Sequence, residues 1–147
     1  MTPLTATASE FQIQTLEARL LTQKAQRVVD GTWSHVRKFW YGARLATVLP
    51  GFVQALRHTS AAGGFDEMGD AEFDALTDEL EKLHRVLCQS IEVARGRGVD
   101  RHPLHRRVLG TIERNTWLLG DVVESFRLSQ DEDFGKLMKE TVDTLKT

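Results

Sequence analysis

A chain of 147 residues with 41% hydrophobic and 27% charged residues is long enough for one hydrophobic core, too short for two, and too apolar for a disordered class. The net charge of −2 identifies no partner, and the single cysteine, Cys88, excludes an intramolecular disulfide. Met1 to Glu10 has neither a basic n-region nor an apolar h-region, so no signal peptide is expected. The most apolar stretch, 39–56, is interrupted by Arg44, Pro50 and Gly51 and falls short of the ~20 clean apolar residues of a membrane span. A cytoplasmic protein without membrane contact is the expectation.

The first eight residues, with three threonines and Pro3, read as a flexible start, and 9–147 as one helical-bundle domain. Ser9 can cap a first helix, Gln12 completing a capping box. Ile13, Leu16, Leu20, Leu21, Ala25 and Val28 then form an inner face over 10–29, and Asp30-Gly31 ends it. Thr32 can cap a second helix whose Trp33, Val36, Phe39, Trp40, Ala43 and Ala46 advance by threes and fours. Pro50 removes a backbone donor and crowds the carbonyl of Ala46, which predicts a kink or break at Leu49-Pro50-Gly51 and a further helical piece over 52–59. Residues 61–68, with Gly63-Gly64, read as a loop.

Asp70 can cap a third helix, in which Phe73, Leu76, Leu80, Leu83, Leu87, Ser90 and Ala94 alternate by threes and fours until Gly96 and Gly98 stop it. That is a heptad seam. Leu109, Ile112, Thr116, Leu119, Val123 and Phe126 repeat the device on a fourth helix, widened by Val108, Leu118 and Val122. Asp131 can cap a short last helix with Phe134, Leu137, Met138, Thr141 and Leu145 on its apolar face. No segment alternates with period two, so no sheet is expected. The two seams imply an antiparallel hairpin. The prediction is all-α: an up-down four-helix-type bundle with a kinked or broken second helix and a short C-terminal extra helix.

Charge is segregated along the chain. Residues 31–65 contain no acid, while Arg37, Lys38, Arg44 and Arg57 supply positive charge. Residues 66–81 hold eight acids and no base, and 95–107 hold five arginines and one acid. Two basic blocks, 37–57 and 95–107, suit a phosphate backbone, with Arg37, Lys38, Arg44, Arg95, Arg97, Arg101, Arg106 and Arg107 as the binding candidates. Against that stands mutual neutralisation, in which the arginines pair with the acidic helix or with another protomer. The placement of the basic blocks discriminates: one open face favours phosphate, and the acidic helix favours neutralisation. Trp33, Trp40 and Tyr41, flanked by cations, are interface candidates wherever they fall off the core stripe.

Two chemical constellations are incomplete. Arg97 and His102 stand at the Arg-x4-His spacing, and in this pair the chain resembles the HEPN-type ribonucleases, small helical proteins that cut RNA. The resemblance implies an arginine on the scissile phosphate and a histidine moving a proton. Gly98 stands where those enzymes usually carry a polar residue. Glu81 and His84 form one Glu-x-x-His step, but the second step of a ferritin-like metal site is missing, because Glu113 and Glu124 are followed at i+3 by Thr116 and Arg127. No catalytic set, metal site or cofactor is therefore assigned. The sequence reading is a non-enzymatic helical interaction protein, self-associating or a subunit of a larger assembly. The alternative is a nucleic-acid-associated subunit, and a HEPN-like ribonuclease or metal-binding bundle comes third.

Overall fold

In the computed structural model, residues 3–30 and 35–146 are described, without side chains for 3–9, 35–39, 100, 132–135, 137 and 146. The expected Thr32 cap, Trp33, and the side chains of Val36, Arg37, Lys38, Phe39, Phe134 and Leu137 lie outside the described residues. The elements are α1 (Pro3–Asp30), α2 (His35–Ala61), α3 (Asp70–Gly96), a 3-10 turn (Val99–Arg101) and α4 (Pro103–Lys146). No strand occurs among the described residues.

α1 packs closely on α2 and α3, and α4 on the same two, while the diagonal pairs α1 with α4 and α2 with α3 stand farther apart among the described residues. Gln14 Nε2 donates to Thr59 Oγ1 at one end of the α1–α2 pair, and Val28 and Leu45 line one cavity at the other. Those two helices are therefore antiparallel. Arg127 meets Asp78 and Arg95 meets Glu113, so α3 and α4 are antiparallel as well. Directions alternate along the chain, and the 62–69 connection crosses a diagonal of the bundle. Phe65 pins that connection, its ring centroid 4.8 Å from Phe11 and 5.1 Å from Phe126.

The seam of α3 is where the sequence placed it: Leu76, Leu80, Leu83 and Leu87 are fully buried, in one core with Ile112, Leu119, Val123 and Phe126. Helix ends follow local chemistry. Gly98 takes φ +73° after α3, a conformation that favours glycine. His102 caps α4 by accepting the Leu104 N–H at Nδ1, 3.3 Å, and Pro103 follows at the first helical position, where its missing donor costs nothing.

Several expectations need correction, the Asp70 cap among them, since Gly69 stands at that position with no side-chain cap. α1 begins at Pro3, so Ser9 lies inside the helix instead of capping it. Its buried face is Phe11, Gln14, Ala18, Leu21 and Ala25, whereas Ile13, Leu16 and Leu20 are exposed. Bulky side chains thus lie on both faces of α1, and Leu21 and Ala25 of the expected face are buried as expected. α2 stays helical through Pro50, which corrects the expected break but not a kink. The ~3 kcal/mol of an internal proline is offset by burial of Leu45, Leu49, Phe52, Val53 and Leu56, each contributing about 1.5–3 kcal/mol. The core register of α2 is thus 45–49–52–56, and Trp40 is exposed. Finally, the expected extra helix is the continuation of α4, which spans 44 residues. No proline or glycine interrupts 129–134. Gln130, itself bonded by Arg127, reaches across to Asp74 and holds this turn against α3.

Candidate functional site

The two ends of the bundle differ in charge. At one end lie the start of α2, with Arg44 exposed, and the α3–α4 connection, with Arg97, Arg101, Arg106 and Arg107 exposed. A Cβ on Gly42 would lie 3.7 Å from Val108, which fixes the first turns of α2 beside the first turns of α4. Both basic blocks thus reach one end, except Arg57, which stands near the opposite end of α2. Arg95 is engaged with Glu113 on α4.

The acidic block lies at the other end and has its own cations. Arg127 of α4 pairs with Asp78, 2.9 Å, and with Glu81, and Arg19 approaches Glu79 at 3.8 Å. The expected neutralisation between 95–107 and the 66–81 helix within one chain therefore does not occur, because the two segments occupy opposite ends of the hairpin. Arg127, which the sequence reading used only to dismiss a metal motif, is the cation that binds this helix.

Beneath the basic end, between all four helices, is a cavity of about 210 Å³ whose apolar wall includes Leu45, Ile91, Val99, Val108, Leu109 and Ile112. Arg97 and His105 are its ionisable lining residues. Ser90 also borders it, but its hydroxyl faces the carbonyls of Ala25, 3.2 Å, and Val86, 3.0 Å. His102 is not part of this wall. Its ring is held by the α4 cap and lies 4.8 Å from the ring of His105. Arg97 and His102 thus share the connection, with only Arg97 turned to the cavity.

The Glu-x-x-His step has no metal-binding surroundings. The Glu81 carboxylate is occupied by Arg127 and Arg85, and the Arg127 hydrogen bond, then its charge, lowers the Glu81 pKa. His84 is half-buried against α4, where Gly120 leaves room for its ring. Burial lowers its pKa, opposed by the charge of Glu81. Cys88 Sγ lies 3.7 Å from His84 Nε2, yet burial, then Glu92, pushes the thiol up, away from the reactive thiolate. Among the described residues no three His, Cys, Asp or Glu side chains form a metal-binding group.

Apolar surface is concentrated elsewhere. Asp74, bonded by Gln130, lies one turn from the start of α3, so residues beyond about 134 have no α3 residue beside them. The remaining 12 residues of α4 extend ~18 Å farther. Every described side chain over 136–145 is exposed, including Met138, Val142 and Leu145. Exposed Ile13 and Leu16 of α1 lie beside Gln14, which marks the same end of the bundle. Of the aromatic interface candidates, Trp40 is 61% exposed and Tyr41 is half-buried. Trp117, at 68% exposure, was missed. It is the residue next to Thr116 of the seam, and the 100° step from a residue already at the edge of the stripe turns it to the opposite face.

No protein-family model, no curated protein and no solved structure matches the chain. Among the described residues no helix is long and apolar enough to cross a membrane.

Proposed function

We propose that this chain is a helical interaction protein without enzymatic activity, acting in the cytoplasm and associating with itself through the projecting end of α4, alone or as a subunit of a larger assembly. The observation that carries the reading is the exposed stripe of Met138, Val142 and Leu145 on a helix that has left its own bundle. The segment continues a helix already formed, so its backbone needs no partner, but a second chain covering its apolar side chains adds ~25 cal/mol per Å² of apolar surface buried. The test replaces Met138, Val142 and Leu145 together by Glu in the full chain and follows mass by light scattering. The account expects an assembly for the parent and 16.6 kDa for a folded variant. Equal masses for the two proteins would refute it.

The convergence of basic blocks at one end favours a second reading, a subunit that binds phosphate backbone. Its test is a gel shift with RNA or DNA at low salt, repeated with Arg95, Arg97, Arg106 and Arg107 changed to Ala. Binding should fall steeply with salt, through counterion release, and vanish in the variant. Helicity should stay intact, because the exposed Arg95–Glu113 pair contributes only ~0–1 kcal/mol. Absence of any shift at low salt contradicts this reading.

A further inference from the structure

We infer that the cavity under the basic end is a binding site for a small amphipathic anion: one carboxylate on a medium-length alkyl chain or a single aromatic ring. Size comes first. An apolar cavity of about 150 Å³ accommodates benzene, so 210 Å³ suits a group modestly larger, such as an alkyl chain of about eight carbons. Its wall is built from side chains of all four helices and the connection, a concave, mostly apolar site of the kind small ligands occupy.

Orientation comes from the polar lining. Ser90 is committed to backbone carbonyls, which leaves the Arg97 guanidinium as the permanent charge on the lining. Arg97 is exposed and follows directly on the last turn of α3, while His105 contributes a nitrogen-bearing ring from the first turn of α4. Exposed Arg101, Arg106 and Arg107 belong to the same connection and first turns of α4 and add positive potential, so the ligand's charged end belongs at the connection and its apolar end among Leu45, Val108 and Ile112. A neutral or cationic head would forgo that potential, and a bare anion would leave the apolar wall unused.

Titration calorimetry of the full chain with sodium octanoate tests the site. The expectation is saturable one-to-one binding, with affinity rising about fourfold per methylene from butyrate to octanoate and acetate giving no heat. Octanamide, which keeps the chain and lacks the charge, should bind about tenfold more weakly than octanoate, and Arg97→Ala should lower octanoate affinity by a similar factor. Gly42→Leu sends its side chain past Val108 into the cavity and should abolish binding, whereas Gly51→Leu, exposed on the same helix with nothing within 4 Å of its Cβ, should leave it unchanged. The inference is overturned by absence of saturable octanoate binding, by affinity independent of chain length, or by a helical Gly42→Leu variant that binds as the parent does. Should Gly42→Leu fail to fold, the chain-length series and Arg97→Ala still decide.

Discussion

Replacing Leu83 by Ala removes about three methyl or methylene groups from the centre of the α3 seam, where Leu80, Leu83 and Leu87 all have zero exposure. The transfer part of the loss is ~2.4 kcal/mol at ~0.8 kcal/mol per group. The site cannot close over the gap, because Leu80 and Leu87 hold the helix in place one turn to either side. A residual void of roughly 50 Å³ adds ~1.2 kcal/mol at ~24 cal/mol per Å³, for a total of ~3–4 kcal/mol. For a chain of this length that lowers Tm by roughly 10 °C. Urea denaturation followed by circular dichroism at 222 nm measures it, at a concentration low enough to keep any association constant. The control is Leu16→Ala on the exposed face of α1, expected within ±0.5 kcal/mol of the parent. A Leu83→Ala loss inside that same range would refute the seam, and a Leu16→Ala loss near 3 kcal/mol in the dissociated chain would restore the inner-face assignment that the structure overturned.

Gly120→Ala would put a Cβ 2.8 Å from His84 Nε2. The overpacking, partly offset by better helix propensity, should cost ~1 kcal/mol. In a double-mutant cycle the cost should disappear when His84 is also Ala, and strict additivity of the two changes would show that the ring does not fill that space. Acidification should weaken the fold in two steps. The folded pKa of His84 is lowered, so its contribution is complete above the unfolded value of 6.5 and falls away as pH drops below it. Glu81 is also lowered, from 4.5, and its contribution is lost as pH falls through its folded pKa. Denaturation midpoints of the parent and His84→Gln between pH 7 and 5 test the first step: the variant should lose less stability over this range, and parallel curves would contradict it.

The parts of the fold legible in the sequence are those where bulk and period coincide. In α3 the large side chains fall every three or four residues, so the heaviest face is also the buried one. In α1 bulk falls on two faces: Phe11 and Leu21 are buried with Gln14, Ala18 and Ala25, while Ile13, Leu16 and Leu20 are exposed, so a reading guided by bulk mixes the two. Pro50 does not break α2, which is buried on both sides of the proline, and Asp131 does not start a new helix, because the Arg127–Gln130–Asp74 chain holds that turn within α4. The basic candidates of the connection were legible as residues, but their placement away from the acidic helix depends on which ends of the hairpin meet. Arg97 could be named from composition. Its cavity could not, because the lining comes from four helices far apart in sequence. The apolar face of Met138, Thr141 and Leu145 is legible in the sequence, and only the helix lengths show that it extends past the start of α3.

The central claim is that this outrunning end of α4 is covered by a second chain. Sedimentation equilibrium of the parent protein across the micromolar range, at moderate salt, measures it directly. The account predicts an average mass above 16.6 kDa that rises with concentration and returns to 16.6 kDa when Met138, Val142 and Leu145 are changed to Glu. A single 16.6 kDa species for the parent at every concentration would contradict it.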